Sequence, residues 1–171
     1  MPKITLQNGN IATFQGDAII CPSDVDLSFR KANKWVTEIF EEAGFTELSK
    51  ELAVIGSCDI GNAVITKGYK LKAKHLIFLP YTNYDDIGNT TDYVLFHQSL
   101  RSAFTLAKIY NLERVAIPLL EIRSRMNFFE RILHEALDKK IKKLKSEEVM
   151  NIIIGVSNEF NDLLKEVVIY R

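Results

Sequence analysis

Apolar residues recur along the chain in two alternating patterns, short runs with strand character and longer stretches with helical spacing. Several of the short runs are almost uniformly apolar, which is typical of strands that are covered on both faces. The runs predict strands at residues 3–7, 17–21, 63–66, 75–79, 114–117, 151–156 and 166–170.

The longer stretches predict helices at residues 31–43, 46–54, 91–110, 127–145 and 159–164. The third helix is the best defined, because Thr90, Thr91 and Asp92 supply capping and acidic groups at its start. Its apolar residues fall on one face. They are Tyr93, Phe96, Leu100, Ala103, Phe104 and Ala107.

Strand and helix patterns alternate from one end of the chain to the other, which is typical of a layered α/β fold. A chain of 171 residues with 47% hydrophobic content is sufficient for one ordinary core. No stretch has the composition of a linker between domains. We therefore expect residues 1–171 to form a single domain.

Three of the four prolines directly follow apolar strand patterns, at Pro22, Pro80 and Pro118. Proline cannot donate a hydrogen bond to a sheet, so each of them predicts the end of a strand. Ligands of open α/β sheets bind in the crevice outside the carboxyl ends of the strands. The segments after Pro22 and Pro118 are therefore the first candidates for a binding site.

Composition narrows the classes of function. The 22 Lys and Arg residues balance the 22 Asp and Glu residues, so no overall field favours nucleic acid or an anionic membrane. The sequence has no N-terminal signal pattern and no apolar run long enough to cross a membrane. We therefore expect a cytoplasmic protein that binds neither nucleic acid nor a membrane. The two cysteines and three histidines lack metal-ligand spacing, and we expect neither a metal nor a cofactor.

Residues 58–77 carry the most specific motif of the chain. They read C-D-I-G-N-A-V-I-T-K-G-Y-K-L-K-A-K-H-L-I, and this resembles the C-x-x-G-x-A-x-I-T-x-G-Y-x-L-x-A-K-x-x-I segment of macro domains. Residues 9–11 with 17–20, residues 43–44 and residues 115–118 resemble further blocks of that family in the same order. The resemblance implies a three-layer α/β/α fold with a mixed central sheet of about six to seven strands.

Macro domains bind ADP-ribose, and some hydrolyse ADP-ribosyl esters, ADP-ribose phosphate or acetylated ADP-ribose. The resemblance implies that the adenine would lie beside Asn10 and Ile11, where the family has an aspartate that accepts a hydrogen bond from the adenine amine. Asn10 stands in place of that aspartate, and its amide oxygen could still accept this bond. The family's N-A-A-N block, which lies near the distal ribose, corresponds to residues 21–24. Asp24 therefore takes the place of an asparagine.

Neither glycine-rich loop that cradles a diphosphate in the family has a counterpart in this sequence. The first is replaced by a segment that contains Lys31, Asn33, Lys34 and Trp35, and the second by Glu121, Ile122, Arg123, Ser124, Arg125 and Met126. Because only glycine lets the backbone approach a phosphate closely, a ligand would have to be held by charged side chains instead. Alternatively, the bulky residues fill the cleft, and Trp35 either plugs it or stacks on a ligand.

Asn158 and Phe160 follow the predicted strand at residues 151–156, which resembles the family's strand beside the adenine pocket. On that resemblance both are candidates for ligand contacts, and Phe160 could stack on a base. In the other interpretation Phe160 is part of the buried face of a short helix.

Three functional hypotheses follow. The first is a non-catalytic module that binds ADP-ribose or a related nucleotide with weakened or altered specificity. The second is a hydrolase of ADP-ribose derivatives that uses Asp24 and Glu121 as a pair of carboxylates for acid and base catalysis. The third is a scaffold that has lost its small-molecule ligand and acts through contacts with a protein partner, which the sequence does not identify.

Overall fold

The computed structural model describes residues 1–28, 34–80, 91–120 and 146–171. The described strands are β1 Lys3–Gln7, β2 Ala18–Ser23, β3 Val64–Lys67, β4 His75–Pro80, β5 Arg114–Pro118 and β6 Glu166–Tyr170. The described helices are α1 Lys34–Ala43, α2 Phe45–Ile55, α3 Thr91–Ile109 and α4, which covers residues 146–159. A short 3-10 helix, Ile11–Thr13, follows β1. The predicted helix at residues 127–145 lies outside the described residues.

The six strands form one mixed sheet in the order β1-β6-β5-β2-β4-β3. All neighbouring strands are parallel except β3 and β4, which are antiparallel. The carboxyl ends of five strands therefore meet at one edge of the sheet. We call this the carboxyl edge, and it is formed by the segments that follow Gln7, Ser23, Pro80, Pro118 and Tyr170.

Each face of the sheet is covered by its own layer of helices, so the predicted three-layer α/β/α arrangement is confirmed. Helices α3 and α4 pack on one face through a core that includes Phe96, Leu100 and Ile153. Helices α1 and α2 and the 3-10 helix pack on the other face, together with residues such as Ile39 and Leu48.

Strand β2 lies in the middle of this arrangement and is buried on both sides. Ala18 and Ile20 face α3 and α4, whereas Ile19 and Cys21 face α1 and α2. All four are at most 1% exposed, which is the reason for the uniformly apolar pattern of this segment. Pro80 and Pro118 end their strands as predicted, whereas β2 continues one residue past Pro22 to Ser23.

The prediction of a strand at residues 151–156 is wrong, because this segment belongs to α4. Its fully buried apolar residues Val149, Ile153 and Val156 are four and three residues apart, which is helical spacing. The run Ile152-Ile153-Ile154 is compatible with a buried strand and with a buried helix, since periodicity cannot separate the two in a short apolar run.

The short helix predicted at residues 159–164 is also wrong. Residues 160–163 form a turn in which the carbonyl of Phe160 accepts hydrogen bonds from the backbone N–H groups of Leu163 and Leu164. The chain then enters β6. None of the helices in the described ranges is long and apolar enough to cross a membrane.

The turn between β3 and β4 explains part of the motif at residues 58–77. A Cβ atom on Gly68 would lie 1.9 Å from the carbonyl oxygen of Ala73, so no larger residue fits there. The hydroxyl of Tyr69 donates a hydrogen bond to Glu51 of α2, and the backbone N–H of Lys70 donates to Ala43 at the end of α1. The turn therefore fixes the two helices against the sheet.

Asp17 joins the amino ends of three strands. One carboxylate oxygen accepts a hydrogen bond from Lys74 Nζ at 2.8 Å, and the other accepts from the backbone N–H groups of Glu113 and Arg114, both at 3.0 Å. Burial alone would raise the pKa of this carboxyl, but these hydrogen bonds outweigh it and hold the pKa below its ordinary value.

We predict that Asp17→Asn lowers the free energy of unfolding by about 1–3 kcal/mol at neutral pH, because a charged acceptor of three hydrogen bonds is lost. A carboxyl with a lowered folded-state pKa stabilises the fold above its unfolded pKa, and this stabilisation is lost as the pH falls through the folded value. Urea denaturation of both proteins at a series of pH values measures the difference.

The difference in the free energy of unfolding between the wild-type protein and Asp17→Asn should be largest at neutral pH and should shrink as the pH falls below about 4. Asp162→Asn is the matched control, since Asp162 forms an exposed ion pair with Lys108, and it should leave stability nearly unchanged. If Asp17→Asn lowered the free energy of unfolding by the same amount at every pH, the lowered pKa of Asp17 in the folded protein would be contradicted.

Candidate functional site

The candidate site begins where β2 ends at the carboxyl edge. Ser23 is the last residue of the strand and is buried, and Asp24 follows it and is half-buried. The chain then turns, with the N–H of Leu27 donating to the carbonyl of Asp24 at 3.1 Å. Among the described residues, none forms a hydrogen bond or an ion pair with the carboxylate of Asp24.

The loop at residues 56–63 forms one wall of this edge. The backbone N–H of Cys58 donates to the carbonyl of Val25 at 2.8 Å, which ties the loop to the turn after β2. On its other side, the N–H of Gly61 donates to Ser99 Oγ at 2.8 Å, and Ser102 Oγ donates to the carbonyl of Gly61 at 2.6 Å. The wall is therefore fixed to both β2 and α3.

Asn10 lies after the carboxyl end of β1 and is exposed. Its side-chain oxygen accepts a hydrogen bond from the N–H of Ala12 at 2.8 Å and so caps the 3-10 helix. The NH₂ group of the same side chain takes no part in this cap and remains a hydrogen-bond donor. The whole of Ile11 is buried in the core, so this residue is not exposed at the carboxyl edge.

Helix α1 places Lys34 and Trp35 at the same end of the sheet. The end of α1 is bonded to the β3–β4 turn at the opposite, amino edge through Ala43, and its start therefore lies toward the carboxyl edge. Trp35 is half-buried against the core of α1 and α2. Lys34 Nζ lies 5.1 Å from the centre of its ring, and this cation–π contact occupies one face of the indole.

Asn158 and Phe160 lie at the other end of the molecule. Helix α4 leads into β6, and the N–H of Lys165, just before β6, donates to the carbonyl of Glu113, just before β5. The end of α4 therefore lies at the amino edge, and the ring of Phe160 packs 5.7 Å from that of Phe104. The structure does not bring these two residues together with Asn10 and Asp24.

The remaining predicted contacts lie outside the described residues. They are Lys31, Asn33, Glu121, Ile122, Arg123, Ser124, Arg125 and Met126. Leu119 and Leu120 are the last described residues before the segment that begins at Glu121. The N–H of Leu119 donates to the carbonyl of Tyr170 at 2.7 Å, and Leu120 is buried, so the chain leaves β5 along the carboxyl edge.

The two cysteines are packing residues. Cys21 and Cys58 are buried free thiols in the core between the sheet and α1 and α2. Burial and the neighbouring Asp59 raise the pKa of Cys58, which makes it a poor nucleophile. In the described ranges, no group of three or more His, Cys, Asp or Glu side chains is placed to hold a metal ion.

Ser23 was not among the residues predicted from the sequence. Its hydroxyl oxygen is buried and has no hydrogen-bond partner among the described residues, although Ser23 directly precedes Asp24 at the carboxyl edge. The sequence did contain a signal for this residue, because side chains alternate along a strand and residue 23 therefore lies on the same buried side as Ile19 and Cys21. A hydroxyl at such a position is a polar group that needs a partner.

The mixed sheet between two helical layers, with polar groups at its carboxyl edge, defines the class of fold. A model of the Macro domain family matches residues 29–124, which is more than half of the chain. The chain belongs to the macro domain family.

Individual relatives agree with this assignment. A macro domain-containing protein of Mesorhizobium japonicum is 28% identical over 120 residues, which cover 70% of this chain and 66% of that protein. Human ganglioside-induced differentiation-associated protein 2 is 25% identical over 158 residues, which cover 91% of this chain and 31% of that protein. The chain thus spans only part of the length of these relatives.

Solved structures show the same fold. The crystal structure of the macro domain of ganglioside-induced differentiation-associated protein 2 superposes with a TM-score of 0.75, over 98% of this chain and 76% of that chain, at 22% identity. A Trypanosoma brucei macrodomain, solved in complex with ADP-ribose, superposes with a TM-score of 0.72 at 18% identity. In that comparison 98% of this chain and 62% of the other are covered.

Proposed function

We propose that this protein binds ADP-ribose or a related nucleotide at the carboxyl edge of the sheet and does not hydrolyse it. The observation that carries the proposal is the macro domain match over residues 29–124, because it spans the segments between β2 and β5 that border this edge. The Trypanosoma brucei macrodomain with the same fold was solved with ADP-ribose, which supports the choice of ligand.

The polar groups at the carboxyl edge suit a nucleotide. The carboxylate of Asp24 has two acceptor oxygens for the hydroxyl groups of a ribose. Asn10 offers a hydrogen-bond donor at the end of β1. With the family's glycine-rich loops replaced in this sequence, the diphosphate would depend on cationic side chains such as Lys34, which form charge-assisted hydrogen bonds.

Binding without turnover agrees with the groups around Asp24. The neighbouring carboxylate of Asp26 already accepts hydrogen bonds from the N–H and the hydroxyl of Ser28, at 3.1 and 2.6 Å. Cys58 is kept in its thiol form by burial. General acid–base catalysis requires a group in a suitable protonation state within reach of the substrate, and neither of these side chains supplies one.

Isothermal titration of the protein with ADP-ribose tests the proposal directly. We expect a dissociation constant on the order of micromolar, about −8 kcal/mol of binding free energy. Chromatography after incubation with ADP-ribose phosphate should recover that compound unchanged. No heat at millimolar ADP-ribose would contradict the proposal and favour a scaffold that acts through protein contacts.

Hydrolysis of ADP-ribose phosphate would contradict the non-catalytic part of the proposal. Asp24→Ala then identifies the responsible residue if it abolishes turnover. Asp162→Ala serves as the matched control, because it removes a carboxylate at the amino edge, and it should leave both binding and any turnover unchanged.

We further propose that Asn10 weakens recognition of adenine. One of the two lone pairs of its oxygen is already taken by the N–H of Ala12, so the amide offers a base mainly its NH₂ donor, whereas the exocyclic amine of adenine is also a donor. Two donors do not form a hydrogen bond. A base that presents a carbonyl oxygen at the same position, as hypoxanthine does, would pair better with Asn10.

Asn10→Asp should strengthen binding of ADP-ribose several-fold and should not strengthen binding of its hypoxanthine counterpart. An aspartate caps a helix about as well as an asparagine, and its second oxygen can accept from the adenine amine. Parallel titrations of both proteins with both ligands measure the change. An equal shift for the two ligands would contradict this role of Asn10.

A further inference from the structure

Ser23 is an exception among the buried polar residues of the described chain. Four residues form this group, namely Ser23, Thr66, Ser99 and Ser157. Thr66 Oγ1 donates to the carbonyl of Lys67, Ser99 Oγ donates to that of Pro80, and Ser157 Oγ donates to that of Ile153. Ser23 Oγ makes no hydrogen bond within the described ranges, although the residue is only 4% exposed.

Two backbone positions next to this hydroxyl have no N–H group to offer it. Ser23 is preceded by Pro22 and lies level with Pro80 on the neighbouring strand β4, and proline has no backbone N–H. By the alternation of β2, its side chain shares a face with Ile19 and Cys21, toward the layer of α1 and α2. An unpaired hydroxyl buried among apolar groups costs free energy.

The position of this hydroxyl favours a functional contact over a packing defect. It lies at the carboxyl end of the central strand, directly before the half-buried Asp24, and open α/β sheets bind their ligands outside this end. A buried polar group without a partner in a folded protein calls for an explanation such as a functional contact or a bound water. A ligand oxygen at this edge would supply the missing partner.

We propose that the hydroxyl of Ser23 donates a hydrogen bond to an oxygen of the nucleotide's ribose or diphosphate. This inference rests on the proposed function and adds a contact residue to it. The free protein is then less stable than it could be, because the hydroxyl is paired only when ligand is present. Replacing Ser23 should therefore affect stability and binding in opposite directions.

The test is Ser23→Ala, measured by urea denaturation and by titration with ADP-ribose. We expect the denaturation midpoint of the free protein to rise, because an unpaired buried hydroxyl is removed. The dissociation constant should increase about tenfold, in line with the loss of one hydrogen bond. A purely structural role of the serine would not produce this pair of opposite changes.

Thr5→Val is the matched control. Thr5 Oγ1 is also buried without a hydrogen-bond partner, but Thr5 lies on β1, and β6 and β5 separate that strand from β2. Its replacement should raise the denaturation midpoint in the same way and leave the affinity for ADP-ribose unchanged.

Titration of Ser23→Ala with AMP then locates the contact. If this variant loses affinity for ADP-ribose but not for AMP, the contact lies in the distal half of the ligand.

The remaining outcomes contradict the proposal, and they distinguish a wrong contact from a wrong function. If the wild-type protein binds ADP-ribose and Ser23→Ala binds it equally well, the contact is wrong while the proposed function remains. If the wild-type protein binds neither ADP-ribose nor AMP, the proposed function fails and the contact fails with it. A lower midpoint for Ser23→Ala, or failure of this variant to fold, would show that the hydroxyl is already paired in the free protein.

Discussion

The burial of β2 on both faces is the constraint on which the rest of the structure depends. Ala18 and Ile20 serve one core, Ile19 and Cys21 serve the other, and β4 and β5 pair with the two sides of the strand. At its start, Asp17 bonds to the residues that begin β5 and to Lys74, just before β4. The strand therefore sets the position of its neighbours and of both helical layers.

The same strand ends where the regular pairing of the sheet ends. Pro80 and Pro118 are the last residues of β4 and β5, and Pro22 is the last but one of β2; none of the three has a backbone N–H to donate. Polar side chains lie at the same ends, with Ser23 as the last residue of β2, Asp24 directly after it and Asn10 after β1. The amino edge, by contrast, is held together by Asp17 and by ion pairs such as that of Arg114 with Glu166.

This difference between the edges separates what maintains the fold from what is available for a ligand. Macro domain folds can keep their sheet while their loops change, because function resides in sites carried by a fold rather than in the fold itself. In this chain residues 30–35 and 121–126 contain lysine and arginine and no glycine. Under the proposed function a nucleotide would be held mainly by side chains, and its preferred base would depend on residues such as Asn10.

Much of the fold could be predicted from the sequence, since it depends on patterns within single segments. The long helix α3 has unambiguous helical periodicity, and residues 58–77 carry a family motif. The run of three isoleucines in α4 has no such periodicity, because three residues are too few to distinguish a strand from a helix. That error also misplaced Asn158 and Phe160, which lie at the amino edge.

The properties of Ser23 and Asn10 could not be predicted, because they depend on what surrounds each side chain. Ser23 lies level with a proline of β4, and the register of two strands is needed to know this. The side-chain oxygen of Asn10 caps the following turn, which only the folded backbone shows. Such relations arise only when separate segments are brought together.

Amide chemical-shift mapping of the isotope-labelled protein during titration with ADP-ribose tests the central claim most directly, because it reports where the ligand binds. The account predicts that the largest changes occur around Asn10, Ser23 and Asp24 and near Leu119, with little change around Asn158 and Leu164 at the amino edge. Changes concentrated at the amino edge, or none at saturating ligand, would contradict a nucleotide site at the carboxyl end of β2.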